Sequence, residues 1–177
     1  GKGTHGLTRL PIYIKKIRNE LMSPKTEFVP IKQTAVISVY DVQHGFGQVA
    51  AFKGMNECIQ KSADYGIGLV GIRNSNNFGV AGYFTEMAAE KGAVGIVLSN
   101  SAPAIAPTGG SLPLFGTNPI AISFPGTNKY NSICFDMACS MAARGKIRLA
   151  AKQGETIPDN WALNQNGVPT IDPIEAI

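Results

Sequence analysis

The sequence lacks several features that would by themselves define a class of protein. No apolar stretch approaches the roughly 18 residues that span a lipid bilayer. The opening residues, Gly-Lys-Gly-Thr-His, contain no signal-peptide pattern. Two histidines and three cysteines give no spacing that holds a metal ion, so no metal site is predicted. We therefore expect a soluble protein of the cytoplasm that has no membrane partner.

The cysteines are too few and too scattered to form a disulfide framework. Cys58, Cys134 and Cys139 contain no C-x-x-C pair, and their number is odd. Cys58 lies on the apolar face of a predicted helix and Cys134 lies inside a predicted strand, so both are expected to be buried thiols. Reduced thiols agree with a cytoplasmic protein.

The charge is modest and is not arranged for nucleic acid. The chain has 16 basic and 12 acidic residues, a net charge of +4. The densest basic cluster is Lys15, Lys16 and Arg18, and apolar residues accompany it at helical spacing, which indicates a solvated helix face. Basic and aromatic residues do not interleave as they do in nucleic-acid grooves, and no such partner is expected.

The chain alternates short apolar runs with helical patterns over 177 residues, 44% of them hydrophobic. This alternation predicts an α/β fold with a substantial core. Helices are predicted at 9–22, 47–65, 81–91 and 140–152, and strands at 34–40, 66–72, 93–98, 120–124 and 132–136. We read 67–98 as a β-α-β unit, 23–32 as a linker and 99–116 as a long loop over a site. On helix 47–65 the predicted inner face is Val49, Phe52, Met55, Ile59 and Ala63.

The most informative stretch is Ser75-Asn-Asn-Phe-Gly79, where a predicted strand passes into a helix. In α/β proteins such junctions open at the carboxyl edge of the sheet, where ligands bind. Asn76 or Asn77 can cap the following helix, and free backbone N–H groups there can meet an anion. Composition alone favours the simple helix cap.

A series of motifs in a fixed order changes this interpretation. The matching segments, in chain order, are Thr4-His-Gly-Leu-Thr-Arg-Leu-Pro11, Gly45-Phe-Gly-Gln48, Asn74-Ser-Asn-Asn-Phe-Gly79, Ser99-Asn-Ser-Ala-Pro103, Ala106-Pro-Thr-Gly-Gly110, Phe115-Gly-Thr-Asn-Pro-Ile-Ala121, Phe135-Asp-Met-Ala138, Gly145-Lys-Ile147, Trp161-Ala-Leu163 and Pro169-Thr-Ile-Asp-Pro173. Together they resemble the malate/L-lactate dehydrogenase family that lacks a Rossmann domain. That family also includes ureidoglycolate, sulfolactate and diketogulonate-type enzymes.

The resemblance implies a three-layer, mixed-sheet α/β domain with a helical N-terminal element. The implied division is 1–33 for the helical element with the substrate motif, 34–152 for the cofactor-binding domain and 153–177 for a turn-rich segment. Full members of the family extend further in both directions, so we expect this chain to be part of a longer protein. The family forms homodimers, and a homodimer is therefore expected here.

The N-terminal motif implies the substrate site. Reduction of a 2-oxo acid leaves charge on the carbonyl oxygen, and an imidazole titrates in the right range to protonate it. The resemblance places this acid/base at His5, with Arg9 and Tyr13 as substrate-binding residues. A guanidinium can hold the substrate carboxylate in a bidentate grip. Without the motif, His5 reads as a surface histidine and Arg9 as a solvated residue at a helix start.

Asn77 departs from the family pattern. Members with S-N-H-F-G place a second catalytic histidine at this position. An asparagine can orient a carbonyl by hydrogen bonds but cannot exchange a proton near neutral pH. Asn77 is therefore predicted to bind substrate, and its effect on activity is left open. His44, the only other histidine besides His5, reads as structural.

The resemblance also implies a nicotinamide cofactor, NAD or NADP. Ser101 and Phe135-Asp136-Met137 match family positions that contact it. Asp136 can equally be a helix cap for the turn that follows. No G-x-G-x-x-G follows a predicted strand, so the usual dinucleotide fingerprint is absent. That absence agrees with a family that binds its cofactor on another fold.

The expected function is NAD(P)-dependent interconversion of a 2-hydroxy acid and its 2-oxo acid, of malate or L-lactate type. The sequence does not say which acid is used or which of the two cofactors is preferred. The alternative is a non-catalytic, nucleotide-binding or structural remnant of the same family, which Asn77 favours. A third possibility, an unrelated soluble α/β domain, requires every motif match to be coincidence.

Overall fold

The computed structural model describes residues 5–176. Over this range the chain forms helices and strands in an alternating order. The helices are α1 (Leu10–Arg18, preceded by a 3-10 turn at Leu7–Arg9), α2 (Gly47–Tyr65), α3 (Ala81–Ala89) and α4 (Arg144–Gln153). The strands are β1 (Val29–Gln33), β2 (Ile37–Asp41), β3 (Leu69–Arg73), β4 (Gly95–Leu98), β5 (Ile120–Phe124) and β6 (Ile133–Met137).

The chain divides into two compact units. The first contains the described residues up to Val97 together with Ala121–Phe135. The second contains Leu98–Ile120 and the described residues from Asp136 onward. The N-terminal motif and the 74–79 turn therefore belong to the first unit, whereas Ser101 belongs to the second.

The first sheet has the order β1-β2-β3. Strands β2 and β3 are parallel in continuous register from Ile37 opposite Leu69 to Asp41 opposite Arg73. Strand β1 runs antiparallel to β2 and contains an irregularity between Pro30 and Lys32. The prediction of a plain linker at 23–32 is therefore wrong, because a proline is tolerated in an edge strand beside a bulge.

The second sheet has the order β4-β5-β6. The predicted β-α-β unit at 67–98 is wrong, because β3 pairs with β2 whereas β4 lies in the other sheet. Helix α3 therefore connects strands of two different sheets. The pattern of apolar residues in a segment predicts that the segment forms a strand. Which strand it pairs with depends on register and packing.

Helix α2 begins and ends where its pattern predicts, at Gly47 and Tyr65. Gly66 follows it at φ +82°, a conformation that favours glycine, and its N–H bonds to the carbonyl of Ser62 at 2.8 Å. The predicted inner face is only partly right. Met55 is buried, but Val49 and Phe52 are 40% and 47% exposed.

The reason is that α2 approaches β3 through small side chains. A Cβ on Gly54 would lie 3.0 Å from Ile72 Cδ1, and Ala50 is 1% exposed. The buried stripe is therefore displaced around the helix from the line of large residues. Two clusters form the core of this region, one built on Tyr40, Val42 and Ala50 and the other on Met55, Phe84 and Ala88.

The cysteines differ in burial. Cys58 is half-buried, and that burial raises the pKa of its thiol, which keeps it protonated. Cys134 is exposed, so the prediction of a buried thiol at this position is wrong. Its strand, β6, lies at the end of the strand order, where fewer side chains cover it.

The predicted α/β class is confirmed as a mixed α/β fold with two small sheets. Strand β5 coincides with its prediction, whereas α1 ends four residues earlier and α4 begins four residues later than expected. The described part of the 99–116 segment lacks helices and strands apart from one bridge between Ile105 and Phe115. None of the helices in residues 5–176 is long and apolar enough to cross a membrane.

A buried hydroxyl pair joins α3 to β5. Thr85 Oγ1 and Ser123 Oγ are 2.7 Å apart, both side chains are fully buried, and Thr85 also donates to the Gly82 carbonyl at 2.9 Å. Ser123 is thereby left to donate to Thr85. Thr85→Val should lower the free energy of unfolding by about 1–3 kcal/mol, because Ser123 loses its buried acceptor.

Urea unfolding measures this effect, and the double variant Thr85→Val, Ser123→Ala is the matched control. The double variant should recover part of the loss, because it removes both hydroxyls of the buried pair and leaves neither without the other. Equal destabilisation of the single and double variants would contradict the assignment.

Candidate active site

A buried carboxylate holds the end of the first sheet, where the 74–79 turn begins. Asp41, the last residue of β2, is 5% exposed. Its Oδ1 accepts from the backbone N–H and the side-chain amide of Gln43, at 2.9 and 2.8 Å. Its Oδ2 accepts from Arg73 Nε at 2.9 Å and Asn74 Nδ2 at 2.7 Å. Four donors thus tie the end of β2 to the segment after it and to the beginning of the turn.

These donors determine the ionisation of Asp41. The N–H of Gln43 has the largest effect and lowers the pKa of the carboxyl below its ordinary value, with Arg73 and Asn74 acting in the same direction. Burial opposes them and raises it. The net shift is downward, so the charged form is the one that the fold prefers.

One of the hydrogen-bonded groups that connect the turn to α1 is what we call the Tyr13–Asn77 cluster (Tyr13, Gln48, Asn77 and Gly79). Tyr13 is the buried residue of α1, and its hydroxyl donates to Asn77 Oδ1 at 3.0 Å. Gln48 Nε2 donates to the same hydroxyl at 2.9 Å. The N–H of Gly79 also donates to Asn77 Oδ1, at 3.2 Å.

The neighbouring residue, Asn76, makes two further side-chain hydrogen bonds that hold the turn. Asn76 Nδ2 donates to the carbonyl of His44 at 2.7 Å, and Lys16 Nζ donates to Asn76 Oδ1 at 3.0 Å. His44 is exposed, and its N–H bonds to the Asn74 carbonyl at 2.7 Å. Both of these hydrogen bonds involve backbone atoms of His44 and not its imidazole, and the structural role of this residue stays a prediction.

The N-terminal motif leads into the same region. His5 is half-buried, and its carbonyl oxygen lies 3.7 Å from the position that a Cβ on Gly79 would occupy. Gly79 has φ +90°, so the turn passes His5 in a conformation that favours glycine. Arg9 is half-buried at the start of α1, one turn before Tyr13. The structure thus brings Tyr13, Asn77 and the His5 backbone to one part of the first unit.

The second unit holds the predicted cofactor residue Ser101 in a compact polar group. Ser101 Oγ accepts from the N–H of Thr117 at 2.9 Å, and its own N–H donates to Asn118 Oδ1 at 3.0 Å. Cys139 bonds to both partners of Ser101, through its N–H to the Thr117 carbonyl at 2.8 Å and through Sγ to the Asn118 carbonyl at 3.0 Å. Ser101 is therefore linked to the segment that follows β6.

The other predicted cofactor residues lie at the end of β6. Asp136 is half-buried between Phe135 and Met137, which are 47% and 56% exposed. The two apolar side chains share one face of the strand with Ile133, because alternate residues point the same way. Ile133 is also exposed, at 68%. This face therefore offers apolar surface, and Asp136 points to the other face.

A cavity of about 410 Å³ lies within the second unit. Thr117 and Cys139 line it, so it borders the polar group around Ser101. Ile105 and Trp161 contribute apolar surface, and Arg144 contributes a guanidinium. Apolar surface suits the flat rings of a nicotinamide cofactor, and an arginine suits its phosphates. The donor set of the cavity thus fits a nucleotide of this kind.

Two important residues were missed at the level of the sequence. Gln48 was matched only as part of a motif, and Asp41 was assigned no role. An asparagine or glutamine signals nothing by itself, since its importance depends on which groups the fold places beside it. The position of Asp41 at the end of a strand was the available signal. Within residues 5–176, no group of three or more His, Cys, Asp or Glu side chains is placed to hold a metal ion.

The fold of the chain is similar to that of solved dehydrogenases. The structure matches that of malate dehydrogenase from Entamoeba histolytica with a TM-score of 0.91 and 37% identity, over 97% of this chain and 48% of that one. More particularly, the chain belongs to the malate/L-lactate dehydrogenase family, whose sequence profile matches residues 1–177. The predicted resemblance is thereby confirmed.

Three relatives show the range of the family. Malate/(S)-sulfolactate dehydrogenase of Methanothermus fervidus is 41% identical over all of this chain and 52% of its own length. The (2R)-3-sulfolactate dehydrogenase (NADP(+)) of Chromohalobacter salexigens is 40% identical, over 100% of this chain and 53% of its own length. Ureidoglycolate dehydrogenase (NAD(+)) of Escherichia coli is 35% identical, over 98% of this chain and 49% of its own length. The chain spans about half the length of these relatives.

The lowered pKa of Asp41 predicts an acid-sensitive turn. The carboxyl titrates at its ordinary value of 3.8 when unfolded and lower when folded, so its contribution to stability is complete above pH 3.8. That contribution should be lost as the pH falls through the folded value. Asp41→Asn should lower the free energy of unfolding at pH 7 and flatten its decline at low pH.

Urea unfolding between pH 7 and pH 2.5 tests this. Asp64→Asn is the matched control, because Asp64 is exposed on α2 and its amide contact, with Gln60, lies at 3.3 Å. It should change neither the stability at pH 7 nor its pH dependence appreciably. If the free energy of unfolding falls equally steeply with decreasing pH in Asp41→Asn and in the wild-type protein, the role of Asp41 is contradicted.

Proposed function

We propose that the protein is an NAD(P)-dependent oxidoreductase that interconverts a 2-hydroxy acid and its 2-oxo acid, of malate or L-lactate type. Its membership of the dehydrogenase family supports the class of reaction. The observation that carries the site is the hydrogen bond from Tyr13 to Asn77, because it joins α1, the helix in which the N-terminal motif ends, to the 74–79 turn. Two segments far apart in sequence thus supply one set of side chains.

The Tyr13–Asn77 cluster suits recognition of a carbonyl or carboxylate oxygen. Asn77 Oδ1 already accepts from the Tyr13 hydroxyl and the Gly79 N–H, and the residue is exposed. Its NH₂ group is therefore the end that is left to face outward. That group donates hydrogen bonds and cannot accept them. Arg9 would hold the substrate carboxylate as a charged, bidentate partner.

His5 would exchange the proton. A nicotinamide cofactor, when bound, supplies the hydride for reduction of the 2-oxo acid or takes it up in the reverse direction. His5 would protonate the oxygen of the oxo acid, or remove the hydroxyl proton in oxidation, because imidazole titrates near neutral pH. Asn77 would keep the same oxygen oriented by donating a hydrogen bond.

The cofactor would be held by Ser101 and by Phe135, Asp136 and Met137. The link from Ser101 through Thr117 to Cys139 supports a shared role for these segments, and the adjoining cavity offers the apolar and cationic surface that a nucleotide needs. Relatives named for NAD(+) and for NADP(+) occur in the family, so either cofactor fits.

The remaining expectations belong to the same proposal. We propose a cytoplasmic homodimer that acts on a small 2-oxo or 2-hydroxy acid. The division at 33/34 and 152/153 also stays a prediction, and it differs from the two compact units described above.

Removal of the His5 imidazole should reduce turnover while leaving the fold intact. In the full-length natural protein, His5→Ala should lower kcat by about 10²–10⁴-fold, the usual contribution of a general acid. NADH oxidation with a panel of 2-oxo acids measures this, and NADH fluorescence measures cofactor binding separately.

The control is His44→Asn, which removes the other histidine but keeps a residue that tolerates the φ of +57° there. Its kcat should equal that of the wild-type protein. A His5→Ala variant with undiminished turnover would refute the acid/base assignment.

The second candidate function is a non-catalytic, nucleotide-binding remnant of the family. The observation that favours it is Asn77 at the position where other members carry a histidine. The two functions differ in what Asn77→His should do. If His5 is the acid, Asn77→His should not be needed for turnover, because the wild-type protein is already active. NADH binding without turnover in the wild-type protein, and turnover in Asn77→His, would favour the remnant.

A further inference from the structure

The first turn of α2 packs directly against the 74–79 turn. A Cβ on Gly47 would collide with the carbonyl oxygen of Asn76 and with the backbone of Asn77, so only glycine permits this approach. The residue after it, Gln48, therefore lies beside the 74–79 turn as well. Its Nε2 lies 2.9 Å from the hydroxyl oxygen of Tyr13.

The hydrogen bonds in the Tyr13–Asn77 cluster run in one direction. Gln48 donates to the oxygen of Tyr13, and the hydroxyl of Tyr13 donates to Asn77 Oδ1. A phenol carries a single hydrogen, so it can donate to Asn77 only while Gln48 is not taking that hydrogen. Because Gln48 donates to the Tyr13 oxygen, the hydroxyl hydrogen of Tyr13 remains available to Asn77.

The orientation of the Gln48 amide follows from the cost of the alternative. Among the described residues, Gln48 Oε1 is buried and has no hydrogen-bond partner. Reversal of the amide would bury its NH₂ group there instead and would draw the hydroxyl hydrogen of Tyr13 away from Asn77. Unpaired buried donors are rarer in proteins than acceptors with spare capacity. The observed direction leaves fewer groups unsatisfied.

We propose that Gln48 is a positioning residue that acts through Tyr13 to hold the NH₂ group of Asn77 toward the substrate. This inference rests on the proposed function. The carbonyl and carboxylate oxygens of a 2-oxo acid are hydrogen-bond acceptors at neutral pH, so they require a donor from the protein. When Tyr13 donates to its oxygen, Asn77 presents that donor.

Replacement of Gln48 by glutamate tests the direction and preserves the size of the side chain. An ionised carboxylate only accepts, so it should take the hydrogen of Tyr13 and leave the phenol oxygen facing Asn77. The amide of Asn77 should then lose its preferred orientation. In the full-length natural protein at pH 8, Gln48→Glu should raise KM for the 2-oxo acid about five- to tenfold, the equivalent of one ordinary hydrogen bond.

The effect should reverse with acid. Burial raises the pKa of an introduced carboxyl, and the protonated acid can again donate to Tyr13. KM of Gln48→Glu should therefore return toward the wild-type value as the pH falls. Gln48→Met neither donates to Tyr13 nor takes its hydrogen strongly, so it should raise KM less than Gln48→Glu does at pH 8 and should show no recovery with acid. A residue that only fills space would show no such recovery, and identical pH profiles for the two variants would overturn the proposal.

The matched control is Gln60→Glu, the same substitution on the exposed part of α2. It should leave KM and its pH profile unchanged. A second measurement does not need turnover: the side-chain amide NMR signals of Asn77, assigned with an Asn77→Ala variant. In Gln48→Glu these signals should shift at pH 8 and return on acidification.

The two measurements separate the possible failures. Unchanged amide signals in Gln48→Glu would overturn the positioning role even if the wild-type protein is active. If the amide signals shift in Gln48→Glu but the wild-type protein oxidises no NADH, the direction of the hydrogen bonds is supported and the proposed function is contradicted. Gln48 would then orient Asn77 without any role in catalysis.

Discussion

The double hydrogen bond accepted by the Asn77 side-chain oxygen is the constraint on which the candidate substrate site depends. The Tyr13 hydroxyl and the Gly79 N–H both end on that oxygen. One bond connects α1 to the 74–79 turn, and the other stabilises the turn itself. An amide with its oxygen occupied in this way becomes a donor to anything outside. Asn77, which has no titratable proton, is thereby oriented as a hydrogen-bond donor.

The same turn is held by groups that have no need to touch a substrate. Asp41 binds Arg73 and Asn74 at its beginning, and Asn76 binds the carbonyl of His44 beside it. A polar network in which nearly every member is satisfied is rigid, and the proposed orientation of a small acid depends on such a support. The cost of burying the Asp41 charge is offset by its four donors.

The predicted cofactor residues also depend on their neighbours. Ser101, which carries no distinctive chemistry alone, is tied through Thr117 to the segment after β6. The adjoining cavity combines apolar side chains with the guanidinium of Arg144. A chain that spans about half the length of its relatives nevertheless retains this group of contacts within one compact unit.

Local pattern by itself determined much of the secondary structure and the family. Helix α2 and strand β5 lie where periodicity predicted them, because spacing of apolar residues reports on a single segment. Tertiary structure alone decided that β3 and β4 join different sheets, that Pro30 lies in a strand, and that Gln48 reaches Tyr13. Those outcomes depend on register and on which backbones approach closely, and both are properties of packed pairs of segments.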